Sequence, residues 1–300
     1  MADVVIIGAG RLGASLGRAL ARKGHFIRAL ACRRTKSAEE SRAIIGQGKA
    51  MTNTGAAARL GTVIFLCLPD EEIQRAALRL ARSRVDWRGK TVFHTSGLFS
   101  SKVLEPLRKR GALIASFHPG QAFPSKKTHP SHFRGISFCL EGDKKAIALA
   151  RGLVRQLGGR SLIIAGNAKP LYHAALSFAS NFLVVLTDAS ARLIERAGLP
   201  RNRALRILYP LLEGTLRNVK NLDTIRALTG PLVRGDAATV GTHLDALKRL
   251  PQYAEAYRNL SLIGLEIAKK SGLSPKKIKA LKNRLEGKQP PPRVRSRISV

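Results

Sequence analysis

The segment VVIIGAGRLGASLGRAL, Val4 to Leu20, sets Gly8, Gly10 and Gly13 in the spacing G-x-G-x-x-G, directly after an apolar run and at the start of a helical pattern. A chain that turns this tightly from strand into helix uses each glycine differently. Gly8 permits the turn, Gly10 leaves the backbone open to a pyrophosphate, and Gly13 lets helix and strand pack closely. The backbone N–H groups of Arg11, Leu12 and Gly13 at the helix start then bind phosphate oxygens. A bare glycine-rich turn is the alternative, and the strand–turn–helix context favours a dinucleotide site.

The pattern around this turn sets the fold class. Short β-rich runs at Asp3–Gly8, Phe26–Cys32, Thr62–Leu68, Thr91–His94, Ala112–Phe117, Gly135–Leu140 and Ser161–Ile164 alternate with helical stretches at Leu12–Lys23, Asp70–Arg82, Lys102–Arg110 and Lys144–Leu157. This alternation predicts an α/β, doubly wound, mostly parallel sheet. Beyond residue 166 only helical periodicity remains, over Pro170–Ala197, Arg201–Asn218, Asp236–Arg249, Tyr253–Ser271 and Pro275–Leu285. The expected organisation is therefore a dinucleotide-binding domain over 1–166, an all-helical domain over 167–287, and a basic, Pro-rich, disordered tail over 288–300.

The dinucleotide is chosen at the end of the second strand, where an acidic residue would bind the free ribose 2′-OH of NAD. This chain has CRRTKSAEE there, with Arg33, Arg34 and Thr35 at that point and no carboxylate before Glu39. A guanidinium pairs with a 2′-phosphate, so NADP(H) is the expected cofactor. Three further loops leave strand ends on the ligand-binding edge. FLCLPDEEI carries Leu68 and Pro69 and reads either as a wall for the nicotinamide or as a plain turn capped by Asp70. VFHTSGLFS supplies His94, Ser96 and Gly97, and SFHPGQAFP supplies His118. The pair His129 and His132 in THPSH lacks a third ligand, so no metal site is expected.

Composition limits the remaining classes. Of 300 residues, 44% are hydrophobic and 24% charged, enough for a sizeable core. No apolar run approaches the roughly 20 residues of a membrane span, and the three cysteines show no metal spacing. Reduced thiols in a cytoplasmic protein are the expectation. The 53 Lys and Arg against 19 Asp and Glu give a net charge of +34. This excess is spread along the chain and lacks the aromatic platforms of nucleic-acid readers, which leaves only non-specific contact with nucleic acid.

GAGRLG, CLPDEEI, HTSG, HPGQAF, YHAALSFASN and LTGPLVRGDAATVGTHL occur in this order and resemble the Rossmann-like proteins with a C-terminal domain of unknown function 2520. These are relatives of pyrroline-5-carboxylate reductase, ketopantoate reductase and the 6-phosphogluconate and β-hydroxyacid dehydrogenases. The resemblance spans about residues 3–285. It implies a 6-phosphogluconate dehydrogenase-like helical domain that forms a homodimer, and NADP-linked oxidoreduction. In the β-hydroxyacid dehydrogenase relatives a catalytic Lys is followed four residues on by Asn; here the corresponding positions are Lys169 and His173.

The residues of KPLYHAALSFASN point the same way. On a continuous helix Ser180, His173, Ser177, Asp188 and Asn181 fall within roughly a 120° arc of Lys169, and no charged residue stands between Pro170 and Thr187. A small, neutral polar stripe of this kind faces either another helix or the cofactor cleft. Lys169 precedes Pro170 and is expected at the cap, loosely fixed. In GPLVRGDAATVGTHL, Asp236 is expected to cap a helix with Thr239 and His243 on one face, and Arg234 to hold a substrate carboxylate or phosphate, or to be a plain surface charge. The resulting expectation is an NADP(H)-dependent oxidoreductase acting on a small, anionic carbonyl, imine or hydroxyacid compound. Lys169 or His173 would supply the proton, Asn181 and Ser180 would orient the substrate, and His94 and His118 would stand beside it. A non-catalytic NADP-binding sensor is the rival reading.

Overall fold

In the computed structural model, which describes residues 1–288, eight strands form one sheet in the order β3-β2-β1-β4-β5-β6-β7-β8. They are β1 (Asp3–Ile7), β2 (Phe26–Ala31), β3 (Lys49–Met51), β4 (Val63–Leu66), β5 (Thr91–His94), β6 (Leu113–Pro119), β7 (Ser137–Gly142) and β8 (Arg160–Ile163). Neighbours pair in parallel except β6 with β7. Strand order reverses between β1 and β4, the position where doubly wound sheets open a ligand crevice at the strand C-termini. The expected mostly parallel, doubly wound fold is what the chain forms.

Both faces of the sheet are covered, which is why the central strands are almost continuously apolar. Val4 and Ile6 point into one core and Val5 and Ile7 into the other. On the first face Phe65, Phe93, Phe117 and Phe138 form a row of rings with neighbouring centroids 5.1–5.6 Å apart. The helices of this part are α1 (Arg11–Ala21), α2 (Thr35–Ile45), α3 (Thr54–Arg59), α4 (Asp70–Ala81), α5 (Glu105–Arg108), α6 (Lys144–Gln156) and α7 (Lys169–Ala179). β3, three residues long on the sheet edge, is too short to stand out in the sequence. Pro69, not Asp70, occupies the N-cap of α4; Asp70, Glu71 and Glu72 fill its first turn, where the helix dipole favours them.

The remaining helices are α8 (Asn181–Arg196), α9 (Arg201–Ala227), α10 (Pro231–Arg234), α11 (Ala237–Ala246), α12 (Pro251–Lys270) and α13 (Pro275–Leu285). Compact units divide at Leu183/Val184, so α7 belongs to the same unit as the sheet. The expected boundary at 166/167 took the end of strand signal as the end of the unit. The single helix expected over Pro170–Ala197 is interrupted at Ser180, a turn residue between α7 and α8 whose φ is stretched to −118° at ψ −65°. Ser and Asn side chains compete for backbone groups and favour such breaks, and Ser180-Asn181 is a pair of them. α9 runs past Asn218, bends at Asp223 (φ 66°), and there Asp223 Oδ1 accepts the N–H groups of Ile225 and Arg226.

The second unit has small cores, one around Val240, Leu244, Leu265, Leu281 and Leu285 and another around Ala191, Ala204 and Leu208. Much apolar surface stays exposed, including Val184 at 70% and Leu211 at 62%. Contrary to the expectation from run lengths, the helical stretch Gly166–Arg196 is long and apolar enough to cross a membrane by length and composition, with 6% of its most apolar window buried. Its break at Ser180 and the burial of Lys169 tie its first half to the sheet. All but Lys288 of the expected basic tail lies outside the described residues.

Candidate active site

The three glycines of the first turn differ in conformation and surroundings. Gly8 has φ +91°, and a Cβ there would lie 2.4 Å from the Cys67 carbonyl oxygen. A Cβ on Gly13 would lie 2.3 Å from the Gly8 carbonyl oxygen, so β1 and α1 approach as closely as they do only with glycine. A Cβ on Gly10 would meet nothing within 4 Å, so this turn borders open space. Gly10 is the N-cap of α1, no side chain caps that helix, and its first turn holds no acid. The free N–H groups at Arg11, Leu12 and Gly13 therefore face space that suits a pyrophosphate.

At the end of β2, Arg33 and Arg34 are exposed and neither forms an ion pair among the described residues. Thr35 opens α2, whose N-cap, Arg34, gives no side-chain cap and whose first turn has no acid. The Ser41 hydroxyl on α2 donates to Ala9 O, 2.7 Å, and fastens this helix to the glycine turn. Two cations and an uncapped helix start thus stand where a 2′-phosphate would need them. Leu68 is partly buried and Pro69 exposed at the end of β4, where a Cβ on Gly8 would lie 2.7 Å from Leu68 Cδ2.

The second half of the site lies at the ends of β5 and β6. Gly97 is wedged between two imidazoles: a Cβ there would lie 2.5 Å from His173 Nδ1 and 2.9 Å from His118 Nε2. The His118 and His173 rings meet edge to face at 6.0 Å, and His118 Nδ1 and the Tyr172 hydroxyl are 3.2 Å apart. His173 Nδ1 is buried with no hydrogen-bond partner, an arrangement that calls for a ligand group. Burial, then the Lys169 and His173 charges, push His118 down to about 3, so its ring is neutral at physiological pH. Tyr172 is pushed up to about 12 by burial and by Cys139, and so keeps its proton.

Lys169 and His94 are placed differently from expectation. Lys169 is the first residue of α7, not a loose cap. It is fully buried, and Nζ donates to Ser96 O at 3.0 Å and Ser116 Oγ at 2.5 Å, which joins the loop after β5 to the middle of β6. Burial lowers its pKa, opposed by Cys139, Glu141 and Asp70. His94 is also fully buried, under the loop and not on its surface, because its Nδ1 accepts the Ser96 N–H at 3.2 Å. The Ser96 hydroxyl accepts the N–H groups of Leu98 and Phe99, so Ser96 shapes the loop from within. Ser180 and Asn181 are exposed at the helix break, and the arc drawn on a continuous helix ends there.

In the second unit, Asp236 caps α11 as expected, accepting the Thr239 N–H at 3.0 Å and its hydroxyl at 2.6 Å. Those two Thr239 bonds lower the Asp236 pKa. His243 Nδ1 lies 2.8 Å from the Tyr257 hydroxyl, so both have partners in their own unit. The Arg234 guanidinium forms no ion pair among the described residues. No metal-binding group of three or more His, Cys, Asp or Glu exists among the described residues, and Cys32, Cys67 and Cys139 are free thiols.

Sequence reasoning missed Tyr172 and Ser116. Tyr172 stands three residues after Lys169 and one before His173, on a face the helical period could have shown. Ser116 is a polar residue in the otherwise apolar run Leu113–Phe117, and its partner, Lys169, is 53 positions away.

The neutral imidazoles give an acid limb to stability. Burial, then the Lys169 charge, push His94 from 6.5 down to about 3. Between these values the unfolded chain binds more protons than the native one, so stability falls as pH falls. From pH 7 to 5 the loss is about 2 kcal/mol for His94, and His118 acts in the same direction. Denaturant midpoints at the two pH values check this, and His94→Gln should lessen the drop; equal wild-type midpoints would contradict it.

Comparison with known proteins bears on the whole chain. Residues 1–119 match the model of a Rossmann-like domain and residues 136–263 that of a domain of unknown function, DUF2520. A Bacteroides fragilis protein provisionally assigned as an NADP oxidoreductase superposes with a TM-score of 0.73 at 26% identity, over 88% of this chain and 98% of that one. A Thermotoga maritima protein gives 0.71 at 26%, over 90% and 100%. The pyrroline-5-carboxylate reductase of Streptococcus pyogenes gives 0.59 at 15%, over 94% and 98%, a likeness of fold. Comparison with curated proteins finds no match. The chain belongs to the Rossmann-like proteins that carry a C-terminal DUF2520 domain.

Proposed function

We propose that this protein is an NADP(H)-dependent oxidoreductase acting on a small carbonyl, imine or hydroxyacid compound, anionic in character. One observation carries the reading: on the C-terminal edge of a single sheet, a glycine turn open at Gly10 follows β1 and a pocket of imidazoles closed around Gly97 follows β5, with only β4 between them. The likeness to the Bacteroides fragilis protein supports it. Gly8, Gly10, Gly13 and the N–H groups of α1 would hold the pyrophosphate, and Arg33, Arg34 and Thr35 the 2′-phosphate. When bound, the cofactor would give or take hydride.

The chain's own part is placement and proton handling. His173, with Nδ1 buried and unpartnered beside Gly97, is the group best set to exchange a proton with the substrate atom whose charge changes. Tyr172, protonated and paired with neutral His118, is a second donor in the same pocket. Lys169 acts as a positioning residue: tied to Ser96 and Ser116, it fixes the loop after β5 against β6, and its charge adds to burial in keeping His118 neutral. The test is NADPH oxidation across a panel of keto acids, aldehydes and cyclic imines. Turnover with at least one class, faster with NADPH than with NADH, is expected; tight NADPH binding without turnover on any would favour the sensor reading.

The same reading places the protein in the cytoplasm as a homodimer. Val184, Val185, Ile207 and Leu211 on α8 and α9 are each more than half exposed, apolar side chains that a partner would cover. A second copy is the partner proposed. Sedimentation at micromolar concentration should give a dimer, and a clean monomer would contradict the assignment.

A further inference from the structure

The chain between β6 and β7 travels much farther than the connection requires. Antiparallel neighbours can be joined by a two-residue turn. Here the segment that follows Pro119 crosses to the other half of the sheet before returning at Ser137. The Ser15 hydroxyl on α1, which donates to Arg11 O at 2.7 Å, also lies within 3.4 Å of Ser125 O. Lys126 Nζ donates to Ser37 Oγ and pairs with Glu40 Oε2 on α2, each at 3.2 Å. These contacts join residues 110 and 89 positions apart. They reach the two helices that carry the glycine turn and the arginine pair.

The place of contact matters more than its strength. An ion pair at the surface contributes little to stability, too little to account for so long an excursion. Ser37 is in the first turn of α2, the helix whose start is uncapped and bordered by Arg33 and Arg34. Glu40, one turn farther on, is a carboxylate beside a phosphate subsite and would oppose an anion there. Lys126 cancels that charge and, with its side chain only 27% exposed, brings a further cation to a helix start that already has Arg33, Arg34 and Lys36. Glu39, the other nearby acid, is already occupied by Arg42.

We propose that the segment around Ser125 and Lys126 is a strap over the adenosine end of the dinucleotide site, and that Lys126, with Ser37, recognises the 2′-phosphate alongside Arg33 and Arg34. The proposal rests on the NADP reading above. It extends that reading: discrimination between NADP and NAD depends on a residue from the far side of the sheet, not only on the loop after β2. A lysine amine has three donors, so it can keep Ser37 as a neighbour while binding a phosphate oxygen.

The experiment measures Kd by calorimetry, at one fixed low salt concentration, for NADP, NAD and 2′,5′-ADP. The proteins are wild type, Lys126→Met, Ser37→Ala and the double Arg33→Ala/Arg34→Ala variant. Lys126→Met keeps the aliphatic stem and should weaken NADP and 2′,5′-ADP by about tenfold, with NAD changed less than about twofold. Ser37→Ala should give a smaller loss of the same kind, and it serves as the second probe should the lysine variant fold poorly. If the double arginine variant loses the NADP preference while Lys126→Met and Ser37→Ala keep it, the strap proposal is overturned and the NADP reading stands. If the wild type shows no preference for NADP, both fall together.

Discussion

Replacing Arg33 and Arg34 together with alanine is expected to weaken NADP binding by about a hundredfold or more, and NAD binding by less than about threefold. Both guanidiniums are exposed at the end of β2, and no acid among the described residues occupies them. A hydrogen bond to a charged group contributes about 1.5–3 kcal/mol, and loss of one from each arginine gives the expected factor. NAD has no 2′-phosphate and so makes no use of these charges. With a net charge of +34, the chain could attract any dinucleotide through its general field. That field acts more strongly on NADP, with its extra phosphate, but removing two of 53 basic residues barely changes it, so a large loss confined to NADP reports the local site. Equal losses for the two would remove the 2′-phosphate assignment.

The second large effect is expected at His173. Its change to alanine should lower kcat by about 10²–10⁴-fold on any substrate the protein turns over, with the fold intact by circular dichroism. The reason is geometric: His173 Nδ1 is buried, unpartnered and next to Gly97, while Lys169 is committed to Ser96 and Ser116. His118 stays neutral and paired with Tyr172, so it orients more readily than it donates. Tyr172→Phe is the informative comparison, because it removes one hydroxyl and little volume. Unchanged turnover in His173→Ala with a large loss in Tyr172→Phe would transfer the proton role to the tyrosine.

How much of this was legible in the sequence depends on how local each feature is. The backbone demands at Gly8 and Gly13 arise within one turn, and the left-handed φ of Gly8 and the close approach at Gly13 are what such a turn requires. The central strands were legible because burial on both faces makes them continuously apolar. The break at Ser180 was not, since the apolar period continues on both sides and only two small polar residues mark it. Lys169 was misplaced for another reason. Beside Pro170 it looked like a loose cap, and its partners, Ser96 and Ser116, are 73 and 53 positions away. His94 and His118 illustrate the same limit. Both end a β-strand and precede a polar loop, yet one is sealed beneath the loop and the other opens toward Tyr172 and His173. Lys126 was invisible as a site residue because nothing in THPSH or its approach signals a return to α2.

The most direct test follows the hydrogen itself. The protein is incubated with a small-molecule extract and NADPH carrying deuterium at the transferable position of the nicotinamide, and the metabolites are read by mass spectrometry. The account predicts that at least one small metabolite gains a single deuterium with the wild type and far less with His173→Ala. Tight NADPH binding with no labelled metabolite would contradict it and leave a dinucleotide sensor.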